Sequence, residues 1–333
     1  MLMASPCATL IIPTPLSMLH KTLHWQRRNR DRTSLILSFV KKISAFALAL
    51  LVAGWAGCHQ PGCGDSHDVD PPADRVLRIG GSTTLFPALE QGMALHRQSN
   101  PALEFELSQS SSGHGIARLI AGDLDIAAAS RTPWPREFRR ARNNAVALKT
   151  YQVALDGVAI IVHPEKATIV RSMNLAQARA IFFTGDITDW SLIDPRLNGP
   201  ITVYSRDTST SGTAAAFVST VTGISSAEFV AGARRVDRTD HVIPTIAGDP
   251  AGIGFASLSQ IDDTVAALAF GFDDNHLIAP SVQSVRDMRY QLRRDLFLIT
   301  NGTPRAQIND FIRFMLSARG QEIFNQMKMI SIY

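Results

Sequence analysis

The sequence is short of the features that most directly announce a function. It has three cysteines in 333 residues, Cys7, Cys58 and Cys63, and none beyond position 63. No disulfide framework or thiolate metal cluster can therefore organise the rest of the chain. Charge of one sign is also scarce where it would matter. The formal net charge is +4, but residues 1–57 carry seven Lys/Arg against one acid, leaving 26 bases against 28 acids in residues 58–333. So slightly acidic a body has no electrostatic footprint for nucleic acid. The longest uncharged apolar run, Ile43 to Gly57, has 15 residues. A spanning helix needs about 20. Internal repeats and low-complexity runs are missing as well.

What is present begins with a leader. A basic stretch, Lys41-Lys42 and the run ISAFALALLVAGWAG stop at Cys58, the pattern of a signal peptide at residues 1–57. Ala56-Gly57-Cys58 resembles a bacterial lipobox, in which the cysteine is acylated and becomes the new N-terminus; Trp55 stands where such boxes usually carry Leu. The alternative is a plain signal peptide with Cys58 and Cys63 paired or free. Either way the mature chain is expected in the periplasm or on the outer face of the cell membrane. Residues 58–74, rich in Pro, Gly and Asp, read as a flexible tether. His59, Asp65, His67, Asp68 and Asp70 lie in it without fixed geometry, so a solvated linker is expected there and no metal site.

From Val76 the chain alternates short apolar runs with helical periodicity. Strands are expected at Val76–Gly80, Glu104–Ser108, Asp125–Ala129, Gly157–Val162 and Ile201–Tyr204. Helices are expected at Leu85–Gln98, Gly115–Ala121, Leu175–Phe183 and Thr213–Val221. The class is α/β, and residues 76–333 exceed what one small core needs, which implies two lobes.

Three loops share one design, in which a strand leads through Ser, Thr and Gly into a helix: Gly80-Gly81-Ser82-Thr83-Thr84, Ser110-Ser111-Ser112-Gly113-His114-Gly115 and Ser209-Thr210-Ser211-Gly212-Thr213. Free N–H groups at a helix start carry partial positive charge, and hydroxyls add donors without crowding, so each loop is a potential anion cradle. Each also satisfies the ordinary preference for Ser or Thr as a helix cap. Arg131 and Arg206 stand close by, and an arginine fork suits phosphate or sulfate. No P-loop lysine and no dinucleotide fingerprint accompany them, which favours a small oxyanion over a nucleotide. No nucleophile–base set or paired carboxylates suited to catalysis are discernible.

These residues resemble the phosphate-binding proteins of bacterial ABC phosphate importers, the PstS family, from about Leu77 to the C-terminus. Gly81-Ser82-Thr83-Thr84-Leu85-Phe86-Pro87, Ser111-Ser112-Gly113 and Ser211-Gly212-Thr213 are similar to the family's three loops. The segment Gly122 to Arg131, the stretch LDGVAIIVHP from Leu155 to Pro164, Ile181 to Gly185, and Ile187-Thr188-Asp189-Trp190 resemble other family segments. The resemblance implies a type II periplasmic-binding-protein-like fold, with hinge-linked lobes each built on a mixed sheet flanked by helices. Lobe 1 is expected at residues 75–155 plus 254–333 and lobe 2 at residues 156–253. It also implies phosphate contacts from Thr83, Thr84, the Leu85 amide, Ser111, Ser130, Arg131, Arg206, Ser211, Gly212 and Thr213. The implied protein is a monomer and not an enzyme, needs no cofactor or metal, and partners the permease subunits of an importer. Other oxyanions (sulfate, molybdate, tungstate), an exported phosphatase-like enzyme and a phosphate sensor on the same fold are the alternatives.

Two departures bear on selectivity. Some family members carry Asp at the position of Arg131, where it accepts the proton of hydrogen phosphate; Asp156 or Asp207 is left as the acceptor here, or as a cap or ion-pair partner. The spacing from Arg206 to Ser211 is one residue longer than the family's usual R-x-x-x-S-G-T, which puts the reach of Arg206 in question.

Overall fold

The computed structural model describes residues 75–333, so the expected leader, the tether and Cys58 lie outside the described residues. Strands run in the order β1 (Val76–Ser82), β2 (Glu104–Ser110), β3 (Ile126–Ala129), β4 (Leu148–Val162), β5 (Ser172–Asn174), β6 (Thr202–Ser205), β7 (Arg234–Arg235), β8 (Gly252–Ser257), β9 (Ala266–Ala267), β10 (Ala269–Gly271) and β11 (Arg293–Asn301). Between and after them come helices α1 (Phe86–Ser99), α2 (Ser112–Ala121), α3 (Pro135–Asn143), α4 (Pro164–Ala167), α5 (Leu175–Arg179), α6 (Gly212–Thr222), α7 (Thr239–Ala247), α8 (Val282–Arg286), α9 (Ala306–Leu316) and α10 (Ala318–Gln326). All the expected strands and helices are present, with shifted ends. The largest shift is in β4, which begins at Leu148 instead of Gly157.

The main sheet has the order β2-β1-β3-β11-β4-β8-β6-β7, with β9 also paired to β4. β1 is parallel to β2 and β3, whereas β11 is antiparallel to β3 and β4. On the far side β4 is antiparallel to β8, and β8 is parallel to β6. Helices cover both faces, so the central strands β3 and β8 are buried on both sides. In β3, Ile126 and Ala128 enter one core with Leu77, Ile79, Leu298 and Phe311; Ala127 and Ala129 enter another with Ile116, Leu119 and Ile299. Ile116, Leu119 and Ile120 form the buried stripe of α2, spaced three and four apart.

Two sets of cores define the two lobes. The second is built on Val158, Ile160, Phe182, Trp190, Phe217 and Phe255, with Phe217 stacked on Phe255 at 4.3 Å between ring centroids. β4 passes from one set to the other, since Val153 and Ala154 belong to the first and Val158 to the second. Phe255, Leu268, Phe270, Val285, Tyr290 and Leu292 pack in the second of these cores, and Leu296 of β11 packs in the first. Long-range pairing of β8 with β4 and β6 decides this, and nothing local to the sequence encodes that pairing.

Gly81, at the end of β1, has φ of +129°, and a Cβ there would lie 2.3 Å from the Ala128 carbonyl oxygen. Replacing it strains the backbone and displaces β3 together. Gly81→Ala is expected to destabilise the fold by about 1–3 kcal/mol, seen as a lower urea midpoint with an unchanged denaturant slope.

Candidate functional site

The three small-residue loops converge. α1 begins after Thr84 and Leu85, α2 after Ser111 and α6 after Ser211. Around their first turns lies a cavity of about 10 Å³ lined by Ser82, Thr83, Thr84, Ser111, Ser112, Ser130, Arg206, Ser211, Gly212 and Thr213. Pockets for organic ligands usually measure about 300–1,000 Å³ and are mainly apolar. This one is smaller, and its wall is hydroxyl, amide and guanidinium.

The hydroxyls are held so that their protons remain to be donated. Ser111 Oγ accepts the His114 N–H at 3.4 Å, and Ser211 Oγ accepts the Ala214 N–H at 3.2 Å. Both serines are thus helix caps as well as cavity walls, because a hydroxyl that accepts one bond keeps its O–H. Thr213 and Thr84 are set the same way by Arg294, whose Nη1 donates to Thr213 Oγ1 at 2.7 Å and whose Nη2 donates to Thr84 Oγ1 at 3.0 Å. The Ser130 N–H donates to Ser112 Oγ at 3.0 Å, and the Ser82 and Ser130 hydroxyls are bonded to each other.

The lobes meet backbone to backbone at this point. The Gly113 N–H donates to the Thr210 carbonyl at 2.9 Å. A Cβ on Gly212 would fall 2.7 Å from both Ser112 Oγ and Ser130 Cβ, so only glycine allows α6 to approach this closely.

Arg206 is 5% exposed and its Nη2 donates to the Asp237 carbonyl at 2.9 Å. Burial, and then the nearby Arg294 cation, push its pKa down to about 10, with Asp240 and Asp237 acting in the opposite direction. The extra residue between Arg206 and Ser211 is absorbed in a turn, in which Asp207 Oδ1 accepts the Ser209 N–H at 2.8 Å and its carbonyl accepts the Ser211 N–H at 2.8 Å. Arg206 therefore reaches the cavity despite the longer spacing.

Eight of the residues singled out in the sequence line the cavity together: Thr83, Thr84, Ser111, Ser130, Arg206, Ser211, Gly212 and Thr213. Leu85 follows directly, with its side chain in the first-lobe core, which leaves its amide as the only candidate group. Arg131 does not line this cavity. Its guanidinium is forked onto Glu137 at 2.8 and 2.9 Å, lies 5.2 Å from the Trp134 ring, and faces a separate cleft. Neutralised by a carboxylate on both nitrogens, it has no fork left for an anion. A hint was readable: Pro135 and Glu137 after Arg131 mark a helix start whose acid points back. Asp156 and Asp207 take the ion-pair and cap roles. Asp156 accepts from Arg294 and Ser257, and Asp207 from Ser209 and Arg235. His114 is exposed, and Trp190 is fully buried with its Nε1 donating to the Ala251 carbonyl at 3.2 Å. Arg294 was missed, because Arg293-Arg294 reads simply as the charged start of a strand.

Fold and site define a class, that of the two-lobed solute-binding proteins, which bind without catalysing. The chain belongs to the PBP superfamily, whose domain model matches residues 68–319. It is similar to the phosphate-binding protein PstS of Staphylococcus aureus, 24% identical over 279 residues and 82% of each chain. Among solved structures, a phosphate ABC transporter substrate-binding protein of Clostridium perfringens with bound phosphate is 27% identical, with a TM-score of 0.68 over 78% of this chain and 100% of that one. An ABC-type phosphate transport receptor of Vibrio cholerae, 24% identical, shares the fold with a TM-score of 0.61 over 77% and 99% of the two chains.

The lowered Arg206 pKa carries a sign that can be tested. Burial lowers the pKa of this group to about 10, and an anion beside it favours the charged form. Anion binding near that pH is expected to take up protons, measured as a dependence of calorimetric heat on buffer ionisation enthalpy. Arg206→Gln is expected to abolish the dependence.

Proposed function

We propose that the protein captures inorganic phosphate outside the cytoplasmic membrane and delivers it to the permease subunits of an ABC importer. The observation that carries this reading is the lining of the cavity, where three helix N-termini, a ring of hydroxyls and Arg206 converge with donors that suit a small oxyanion. The phosphate-bound structure from Clostridium perfringens and the Staphylococcus aureus PstS support the choice of phosphate. Phosphate is held by Thr83, Thr84 and the Leu85 amide from the first lobe, with Ser111 and Ser130. Arg206, Ser211, the Gly212 amide and Thr213 come from the second. Arg131 is left out of this proposed set because its fork pairs with Glu137.

The lobes comprise residues 75–156 with 293–333, and residues 157–292. Binding at the interface of such lobes couples capture to closure. The protein acts as a monomer, after export by the leader and with a lipid anchor at Cys58.

A second reading is sulfate or another fully ionised tetrahedral oxyanion. It is favoured by the cavity wall, on which no carboxylate stands to accept the proton of hydrogen phosphate. Calorimetry with phosphate, sulfate, molybdate and tungstate separates the two. Preference for phosphate is expected, and equal affinity for sulfate would sink the assignment. Ser111→Ala and Thr213→Val are each expected to weaken binding by about 1.5–3 kcal/mol, the usual cost of losing a hydrogen bond to a charged group. Unchanged affinity in both would place the ligand elsewhere.

A further inference from the structure

Arg294 contributes nothing to the wall of the cavity, yet it holds two of the side chains that do. It is the second residue of β11 and is the direct register partner of Asp156 in β4. These two strands carry the chain between the lobes, so the pair sits where the lobes join. The ion pair is closed to solvent, with side-chain exposures of 3% and 0% and an Nη2–Oδ2 distance of 2.7 Å. Nε donates to the same carboxylate oxygen at 3.0 Å, and the Ser257 hydroxyl donates to it at 2.7 Å. The plane of the guanidinium is thereby fixed by groups that do not face the cavity.

From that fixed plane the two terminal nitrogens diverge. One reaches Thr84 just before α1 in the first lobe, and the other reaches Thr213 in the first turn of α6 in the second. A single rigid fork thus bridges the two halves of the cradle. Separating the lobes must break at least one of these bonds, leaving a buried guanidinium N–H without its partner. The same two bonds occupy an acceptor position on each threonine, so each hydroxyl keeps its proton for the cavity.

We propose that Arg294 is a positioning residue that latches the lobes together, with or without an anion between them, and sets Thr84 and Thr213 as donors toward the cavity. The latch rests on the reading of the cavity as a phosphate site only for its ligand; its mechanics concern this chain's own residues. It assigns a role in retention, the step that controls how slowly a captured anion escapes.

The test is Arg294→Lys, which keeps the charge beside Asp156 but replaces the planar fork by a single ammonium that cannot serve Asp156 and both threonines in the same geometry. Small-angle X-ray scattering of the purified protein without anion is expected to show a larger radius of gyration than the parent. Stopped-flow measurements are expected to show phosphate release faster by roughly tenfold or more, with little change in association rate. If the lysine side chain compromises folding, the double variant D156N/R294Q removes both charges together and leaves no unpaired ion; the same two changes are expected. A variant that folds yet matches the parent in radius of gyration or in release rate overturns the latch. Should the parent fail to bind phosphate, the functional assignment falls, and the anion-free scattering comparison still decides the latch.

Discussion

Arg294 lies against Asp156 with 3% and 0% of the two side chains exposed, and the geometry of the cavity depends on that contact. A buried cation must be paired, and pairing it with a carboxylate on the neighbouring strand leaves its fork one orientation. In that orientation it holds Thr84 and Thr213, one at the threshold of α1 and the other in the first turn of α6. Those threonines tie two helix starts to one point. The third helix start is brought there by Gly113 and Thr210, joined backbone to backbone. The three helix termini that converge here are thus tied together by an ion-paired arginine and one close glycine contact.

The site also concentrates charge of one sign. Arg206 is buried, and the cation of Arg294 adds to the burial in making its charged form less favourable. Partial positive charge at three helix N-termini adds to the same potential. Among the described residues, none that lines the cavity is acidic, while Asp156 is engaged with Arg294, Asp207 with its own turn and Arg235, and Glu137 with Arg131. An anion relieves this imbalance, and a neutral or cationic ligand does not. The balance explains why Arg131, although beside the site in sequence, is not one of its cations.

The cavity-lining serines satisfy two demands that look like alternatives when read one at a time. Ser111 and Ser211 cap their helices, which is enough to account for their presence, and they also wall the cavity. A hydroxyl has one proton and two lone pairs, so capping and donating do not compete. This double use explains why the site was legible in the sequence through its loops. The cap preference writes Ser and Thr at helix starts, and three such starts in one chain are visible without coordinates. The pairing of the strands was not legible at the same level. The apolar run of β8 looks alike whether it pairs with β4 and β6 or with the strands of the other lobe.

By itself the sequence determined the α/β alternation, the three cradles and nearly all the residues that meet at the cavity, because strand runs, helix stripes and capping hydroxyls are local patterns. Only the tertiary structure decided which arginines serve it. A guanidinium is neutralised or directed by whichever carboxylate folds against it: Glu137 for Arg131, six residues on, and Asp156 for Arg294, 138 residues back. Position along the chain says nothing of such partners when they come from separate strands. Pairing β11 with β4 is what turned an unremarked arginine into the residue on which the cradle hangs.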